Sequence, residues 1–343
     1  MDTKFIKLPD PEGMRMAGRV IREGGLVAFP TETVYGLGGD AFDPEASAKI
    51  YAAKGRPSDN PLIVHIADME SLERLSSEIP EQLYALADSF WPGPLTMIVK
   101  KRPEVPDRTT GGLDTVAIRM PDHPAALELI REAGGYIAAP SANASGRPSP
   151  TLASHVLEDL GGRIEVILDG GEVGIGVEST IVDLTGEKIQ ILRPGYVTAQ
   201  MLERVVGHVE LDPAIAGPPA AGVRPKAPGM MYRHYAPKGD MMIVRGEGAA
   251  DYICQKLGEC SGKAAVLCCD ESRDRYPAEK AVIKSLGSLQ RPEEAALKLY
   301  RVLRELDSEG VSLIYSESFP DTGIGEALMN RMMKAAGYKV IEA

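Results

Sequence analysis

Aromatic residues are scarce in this chain. Phe, Trp and Tyr make up 5% of it, with a single Trp. Its cores must therefore be aliphatic, built from Ile, Leu, Val, Ala and Met. Cysteine is scarcer still, the four being Cys254, Cys260, Cys268 and Cys269. They lack paired C-x-x-C zinc spacing, and two are adjacent in an apolar run, which reads as buried thiols in a reducing compartment. No stretch approaches the eighteen or so consecutive apolar residues of a membrane-spanning helix. The opening Met-Asp-Thr-Lys-Phe has no apolar signal core, so the cytoplasm is the expected location. Positive charge is outnumbered, with 38 Lys and Arg against 49 Asp and Glu for a net −11. That argues against a generalised nucleic-acid-binding surface and leaves room for a local basic cleft.

Familiar catalytic signatures are also missing. The five histidines form no H-E-x-x-H arrangement, and there is no G-x-S-x-G elbow. Gly258-Glu-Cys-Ser-Gly262-Lys263-Ala264 superficially resembles a phosphate loop. It has three residues between its glycines instead of four, and Ala follows the lysine, so it reads as a turn. Gly323-Ile-Gly325 lacks the third glycine of a dinucleotide fingerprint and reads as a helix start.

What is present is an ordinary globular composition, 44% hydrophobic and 25% charged over 343 residues, enough for two domains. A Pro-, Ala- and Gly-rich break covers residues 212–238 and reads as an extended linker between domains at 1–211 and 239–343. The first part alternates helix and strand signals, with Asp10-Pro11 and Asp43-Pro44 as helix starts. It predicts a mixed α/β domain with many strands. The second part alternates four short apolar runs with helical patterns, which predicts a smaller doubly wound, mostly parallel Rossmann-like sheet.

Five polar segments lie where predicted strands meet loops, the usual ligand position in open α/β sheets. Pro30-Thr-Glu-Thr-Val-Tyr-Gly-Leu-Gly38 brings two Thr hydroxyls, a carboxylate and a Tyr after a buried strand. Lys54-Gly-Arg-Pro-Ser-Asp-Asn-Pro61 sets two cations two residues apart, and His65 ends the next strand. Arg can hold phosphate bidentately, and Lys acts as a point charge. In Thr115-Val-Ala-Ile-Arg119, alternation puts Thr115, Ala117 and Arg119 on one face. An arginine in so apolar a strand needs an anionic partner, either an internal carboxylate or a ligand's. Ala139-Pro-Ser141-Ala-Asn143 and Ser149 offer small donors that let a phosphate or purine approach the backbone. Finally, Ser179 opens one strand and Arg193 closes the next.

Taken in order, these segments resemble the YrdC/YwlC family of threonylcarbamoyl-AMP synthases in its long two-domain form. The resemblance covers essentially the whole chain and is strongest over residues 24–195 and in PGMMYRHYAPK. It implies a twisted open mixed sheet around a positively lined cavity, joined by a long linker to the Rossmann-like domain. It places Thr33, His65, Arg119 and Ser179 around L-threonine, with Arg119 on the carboxylate. It places Lys54, Arg56, Asn60, Thr115, Ala139, Ser141, Asn143, Ser149 and Arg193 at ATP or the adenylate, and Tyr232 on a linker lid. Lys54, Arg56, Ser141 and Asn143 would be the catalytic set. The implied reaction condenses threonine, bicarbonate and ATP, with Mg²⁺ accompanying the nucleotide. The product would pass to transfer proteins that modify a tRNA adenosine. A double-stranded-RNA-binding or ribosome-associated module with weak RNA affinity is the competing reading. A carbamoyl-adenylating module of hydrogenase maturation is a third, though this chain has neither zinc-finger nor acylphosphatase segments.

Overall fold

Both Asp-Pro steps start helices as the sequence predicts. Asp10 accepts hydrogen bonds from the Glu12 and Gly13 N–H groups and caps Pro11–Arg22. Asp43 accepts from the Glu45 N–H and caps Pro44–Lys54. Each carboxylate satisfies a donor that the first helical turn leaves unpaired. Pro44–Lys54 stops at Gly55, whose φ of 63° is the left-handed conformation glycine adopts without steric cost.

The computed structural model describes residues 2–215, 217, 225–230 and 234–343. These group into two compact units. One comprises residues 2–145, 149–174 and the described part of 178–230. The other comprises 146–148, 175–177 and 234–343.

The first unit carries a twelve-stranded mixed sheet. Its order is Lys4–Lys7, Val166–Asp169, Val27–Phe29, Gly36–Asp40, Ile137–Ala139, Ile63–His65, Thr115–Arg119, Leu95–Lys101, Thr180–Asp183, Gln190–Arg193 and Glu210–Leu211. Ser76–Glu78 branches off Leu95–Lys101. Thr115–Arg119 runs antiparallel to Leu95–Lys101 and parallel to Ile63–His65, so Arg119 faces Thr96 on one side and His65 on the other. One core layer packs Met14, Ala17, Ile21, Ala126, Leu129 and Ile130 against Val27, Phe29, Val166 and Leu168. Apart from Phe29 it is aliphatic, as the composition demands. Burying each large aliphatic side chain contributes about 1.5–3 kcal/mol.

Gly36–Asp40 is a strand, whereas the sequence reads there as loop. Its glycines hid it, and the packing explains them. A Cβ on Gly38 would sit 2.6 Å from Ile137 Cγ2 and 3.0 Å from the Phe29 ring. Residues 225–230, within the segment read as an extended linker and, by the resemblance, a lid, pack on this unit. Ala227 is fully buried with Ile63, Ile98, Ala117, Ile181 and Leu192, and Met230 lies alongside. This is the sheet face that strand alternation assigns to Arg119.

The second unit holds a five-stranded, wholly parallel sheet. Its order is Ala281–Ser285, Ala264–Cys268, Leu313–Glu317, Asp240–Arg245 and Val340–Glu342. Ala249–Glu259, Pro292–Ser308 and Ile324–Ala335 lie between the strands in sequence, which fits a doubly wound fold. Cys268 and Cys269 are buried free thiols, whereas Cys254 and Cys260 are partly exposed. Among the described residues, no helix is long and apolar enough to cross a membrane.

Candidate active site

Arg119 closes its strand at 4% exposure. Its Nε donates to the Gly93 carbonyl at 3.3 Å and its Nη1 to Thr33 Oγ1 at 3.0 Å. Nη2 lies 2.6 Å from Glu32 Oε1. The partner is therefore an internal carboxylate. The contact is short but off the N–H axis. Neither Nη2 nor either Glu32 oxygen makes an aligned hydrogen bond among the described residues. Thr33 is held in place by Thr31, the two hydroxyl oxygens being 2.9 Å apart. Thr31 also donates to the Val34 carbonyl at 2.6 Å.

His65 lies beside Arg119 across the parallel pair. Burial, followed by the positive charge of Arg119, lowers its pKa to about 3. The ring is thus neutral at neutral pH, with Nδ1 3.1 Å from the Ile63 carbonyl. Phe29 meets its ring edge-on.

Ser179 and Arg193 form the adjoining cluster. Arg193 Nε donates to the Ser179 carbonyl at 3.0 Å and Nη2 to Ser179 Oγ at 3.1 Å. Ser179 Oγ is also 2.7 Å from Thr96 Oγ1. Because Thr96 faces Arg119 in the sheet register, the two arginines belong to one buried polar layer. Nη1 of Arg193 reaches the Pro228 carbonyl at 3.4 Å, so the 225–230 segment is tied to this layer.

The remaining residues gather on the loops beyond Pro44–Lys54 and Ile137–Ala139. The Lys54 ammonium bonds the Ser141 carbonyl, the Asn143 carbonyl at 2.6 Å and Asn143 Oδ1 at 3.3 Å. It was expected to offset phosphate charge directly; here it fastens the Ser141–Asn143 loop. Ser141 Oγ donates to Asn143 Oδ1 at 2.5 Å. Arg56 is similarly braced, with Nε on the Asn60 carbonyl at 3.2 Å and Nη2 on the Pro61 carbonyl at 2.9 Å. Tyr51 donates to the Asn60 carbonyl as well, and burial pushes its phenol up to about 12. Asn60 Oδ1 is buried without a donor among the described residues. Ser149 donates to Glu178 at 2.6 Å. Ala139 is buried opposite Ile63.

The loops are stitched together. Ala142 N–H bonds the Tyr35 carbonyl, Leu37 N–H that of Pro140, and Tyr35 N–H that of Pro150. Thr115 lies apart, four residues from Arg119 and hence about 13 Å along the strand. Tyr232 falls outside the described residues. The sequence reading missed Thr96 and Glu178 and gave Glu32 no role beyond being a carboxylate of its loop. A carboxylate set between Thr31 and Thr33 after a buried strand was the available signal for Glu32. Nothing local pointed to Thr96, whose importance comes from its register.

Residues 19–195 match the Sua5/YciO/YrdC family model, described as telomere recombination. Residues 197–337 match the model described as the threonylcarbamoyl-AMP synthase C-terminal domain. The threonylcarbamoyl-AMP synthase of Bacillus subtilis is 48% identical over 99% of this chain and 97% of its own. That of Pyrococcus abyssi is 47% identical over 96% and 95%. The crystal structure of P. abyssi Sua5 complexed with L-threonine superposes with a TM-score of 0.93 at 46% identity, covering 100% of both chains. Escherichia coli YciO shares the fold over 56% of this chain and 95% of its own, at 24% identity and a TM-score of 0.51.

Proposed function

The chain belongs to the Sua5/YciO/YrdC family, and from that premise we propose that it condenses L-threonine, bicarbonate and ATP into threonylcarbamoyl-AMP and pyrophosphate. The observation that carries this reading is the buried layer of Thr33, Arg119, Thr96, Ser179 and Arg193. Two guanidinium groups and three hydroxyls at strand ends suit a ligand with a carboxylate, a hydroxyl and a neighbouring phosphate. Threonine joined to AMP is such a ligand.

The amine of threonine adds to bicarbonate carbon with loss of water and gives a carbamate. A carbamate oxygen then attacks the α-phosphorus of ATP, and pyrophosphate leaves. Such chemistry depends on positioning and charge neutralisation and needs no protein nucleophile. Arg119 and Thr33 orient the amino acid. His65, kept neutral, adds no charge that would compete with Arg119. Arg56 and Arg193 face the phosphates. Lys54 acts by fixing the loop whose Ser141 and Asn143 approach the nucleotide. Thr115, Ala139 and Ser149 complete the nucleotide side.

Mg²⁺ would accompany ATP, bound mainly through the nucleotide's own phosphates and water. Asn60 Oδ1, a buried acceptor, suits a hydrogen bond from that hydration shell. When bound, the ion supplies positive charge to the phosphates. Excluding water protects both the carbamate and the mixed anhydride. The adenylate is consumed by a transferase that places the threonylcarbamoyl group on a tRNA adenosine.

The test is a reaction with ATP, threonine, magnesium and isotopically labelled bicarbonate. Pyrophosphate release that requires all of them, with one labelled carbon in the adenylate by mass spectrometry, is the expected result. Release that ignores threonine or bicarbonate would overturn the reading.

A further inference from the structure

A buried polar group without an aligned partner calls for one, and a ligand can supply it, because leaving the group unmet is costly. Arg119 Nη2 and both oxygens of Glu32 are such groups. They lie in contact, with Nη2 2.6 Å from Oε1 and the two side chains 5% and 13% exposed. The charges offset each other, yet one donor and two acceptors remain directionally unmet.

A simple anion would satisfy only half of this arrangement. It could take Nη2, but it would strip Glu32 of its cation and leave a buried carboxylate uncompensated. A simple cation would do the reverse to Arg119. A ligand with both charges side by side replaces each partner at once. Because the two protein groups touch, the ligand's charges must also be adjacent, as they are across one carbon in an α-amino acid.

We propose that Glu32 holds the α-ammonium of the amino acid whose carboxylate Arg119 takes, an inference that rests on the threonine reading above. Glu32 and Arg119 together read the substrate as a zwitterion, and Thr33, bonded to Nη1, adjoins the same pair. The contact also fixes the direction of the nitrogen that becomes the carbamate nitrogen. Glu32 is then a specificity residue for the α-amine.

The experiment is calorimetric titration of the full chain with L-threonine and with 3-hydroxybutyrate, which keeps the carboxylate and hydroxyl but lacks the α-amine. Wild type is expected to prefer threonine. Glu32→Gln is expected to lose about ten- to a hundredfold in threonine affinity, the worth of a charge-assisted hydrogen bond. Its affinity for 3-hydroxybutyrate should hold or rise, and ATP binding should be unchanged. Undiminished threonine binding in Glu32→Gln overturns the proposal. So does an equal gain for both acids, which would make Glu32 only a placeholder on Arg119. Should Glu32→Gln fail to fold, Glu32→Asp decides instead: a weakened preference for threonine supports the assignment, and an unchanged one overturns it. If wild type binds ATP but neither acid, the threonine reading itself falls, a result distinct from any of these.

Discussion

His65 shows how burial and one neighbouring charge set a side chain. Its pKa is lowered to about 3, first by desolvation and then by Arg119. An unfolded histidine titrates near 6.5. Above that pH both states hold the neutral ring, and His65 contributes nothing to the pH dependence. Below it the unfolded chain takes up a proton that the folded chain refuses, so stability falls with falling pH until about 3. Urea midpoints measured between pH 7 and pH 4 should therefore decline less steeply in His65→Asn than in wild type; equal slopes would contradict this account. Arg119 makes a second prediction at this scale. Arg119→Ala removes the carboxylate anchor, so the KM for threonine should rise about ten- to a hundredfold while that for ATP changes little. Equal effects on both would remove the proposed division of labour. The sequence already pointed to Arg119 needing an anion. It could not say which, because Glu32 stands 87 residues away in the chain and only the fold brings them together.

Elements rather than residues explain why the site is stiff. Gly195 shows this at the strand carrying Arg193. A Cβ there would lie 2.4 Å from Thr180 N and 2.7 Å from the Ser179 carbonyl carbon. Backbone atoms cannot step aside as a side-chain tip can. Gly195→Ala should destabilise the chain by about 1–3 kcal/mol and also impair catalysis, since Ser179 and Arg193 shift with their strands. A melting temperature matching wild type would count against this close packing. Elements were also where the sequence was most readable. The capped helices Pro11–Arg22 and Pro44–Lys54 declare themselves through Asp-Pro, because capping is local chemistry. Gly36–Asp40 did not, because its glycines answer to Phe29 and Ile137 across the sheet. Lys54 was legible as a cation at a helix end, whereas its grip on the Ser141–Asn143 loop depends on a contact 87 and 89 residues away.

At the scale of the whole molecule, the alternation of strands and helices foretold both sheets, and the composition foretold their aliphatic cores. The 212–238 break was legible as Pro, Ala and Gly and, through the family resemblance, as a lid. That composition says nothing of Ala227 settling on Ile63 and Ala117. Replacing Ala227 with Asp would bury a charge in that apolar cluster, which is costly without a partner. Turnover should fall about tenfold or more, with the first unit's circular dichroism retained. Unaltered kinetics would separate the segment from the reaction. The same segment also bears on how much ATP the protein wastes. The adenylate is a mixed anhydride, and each molecule that meets water before its acceptor has consumed one ATP for nothing. Ala227, and the Pro228 carbonyl that Arg193 holds, lie over the sheet face proposed above for the adenylate. A weakened cover should therefore show itself as a shifted stoichiometry as well as a slower rate, with pyrophosphate outrunning intact adenylate.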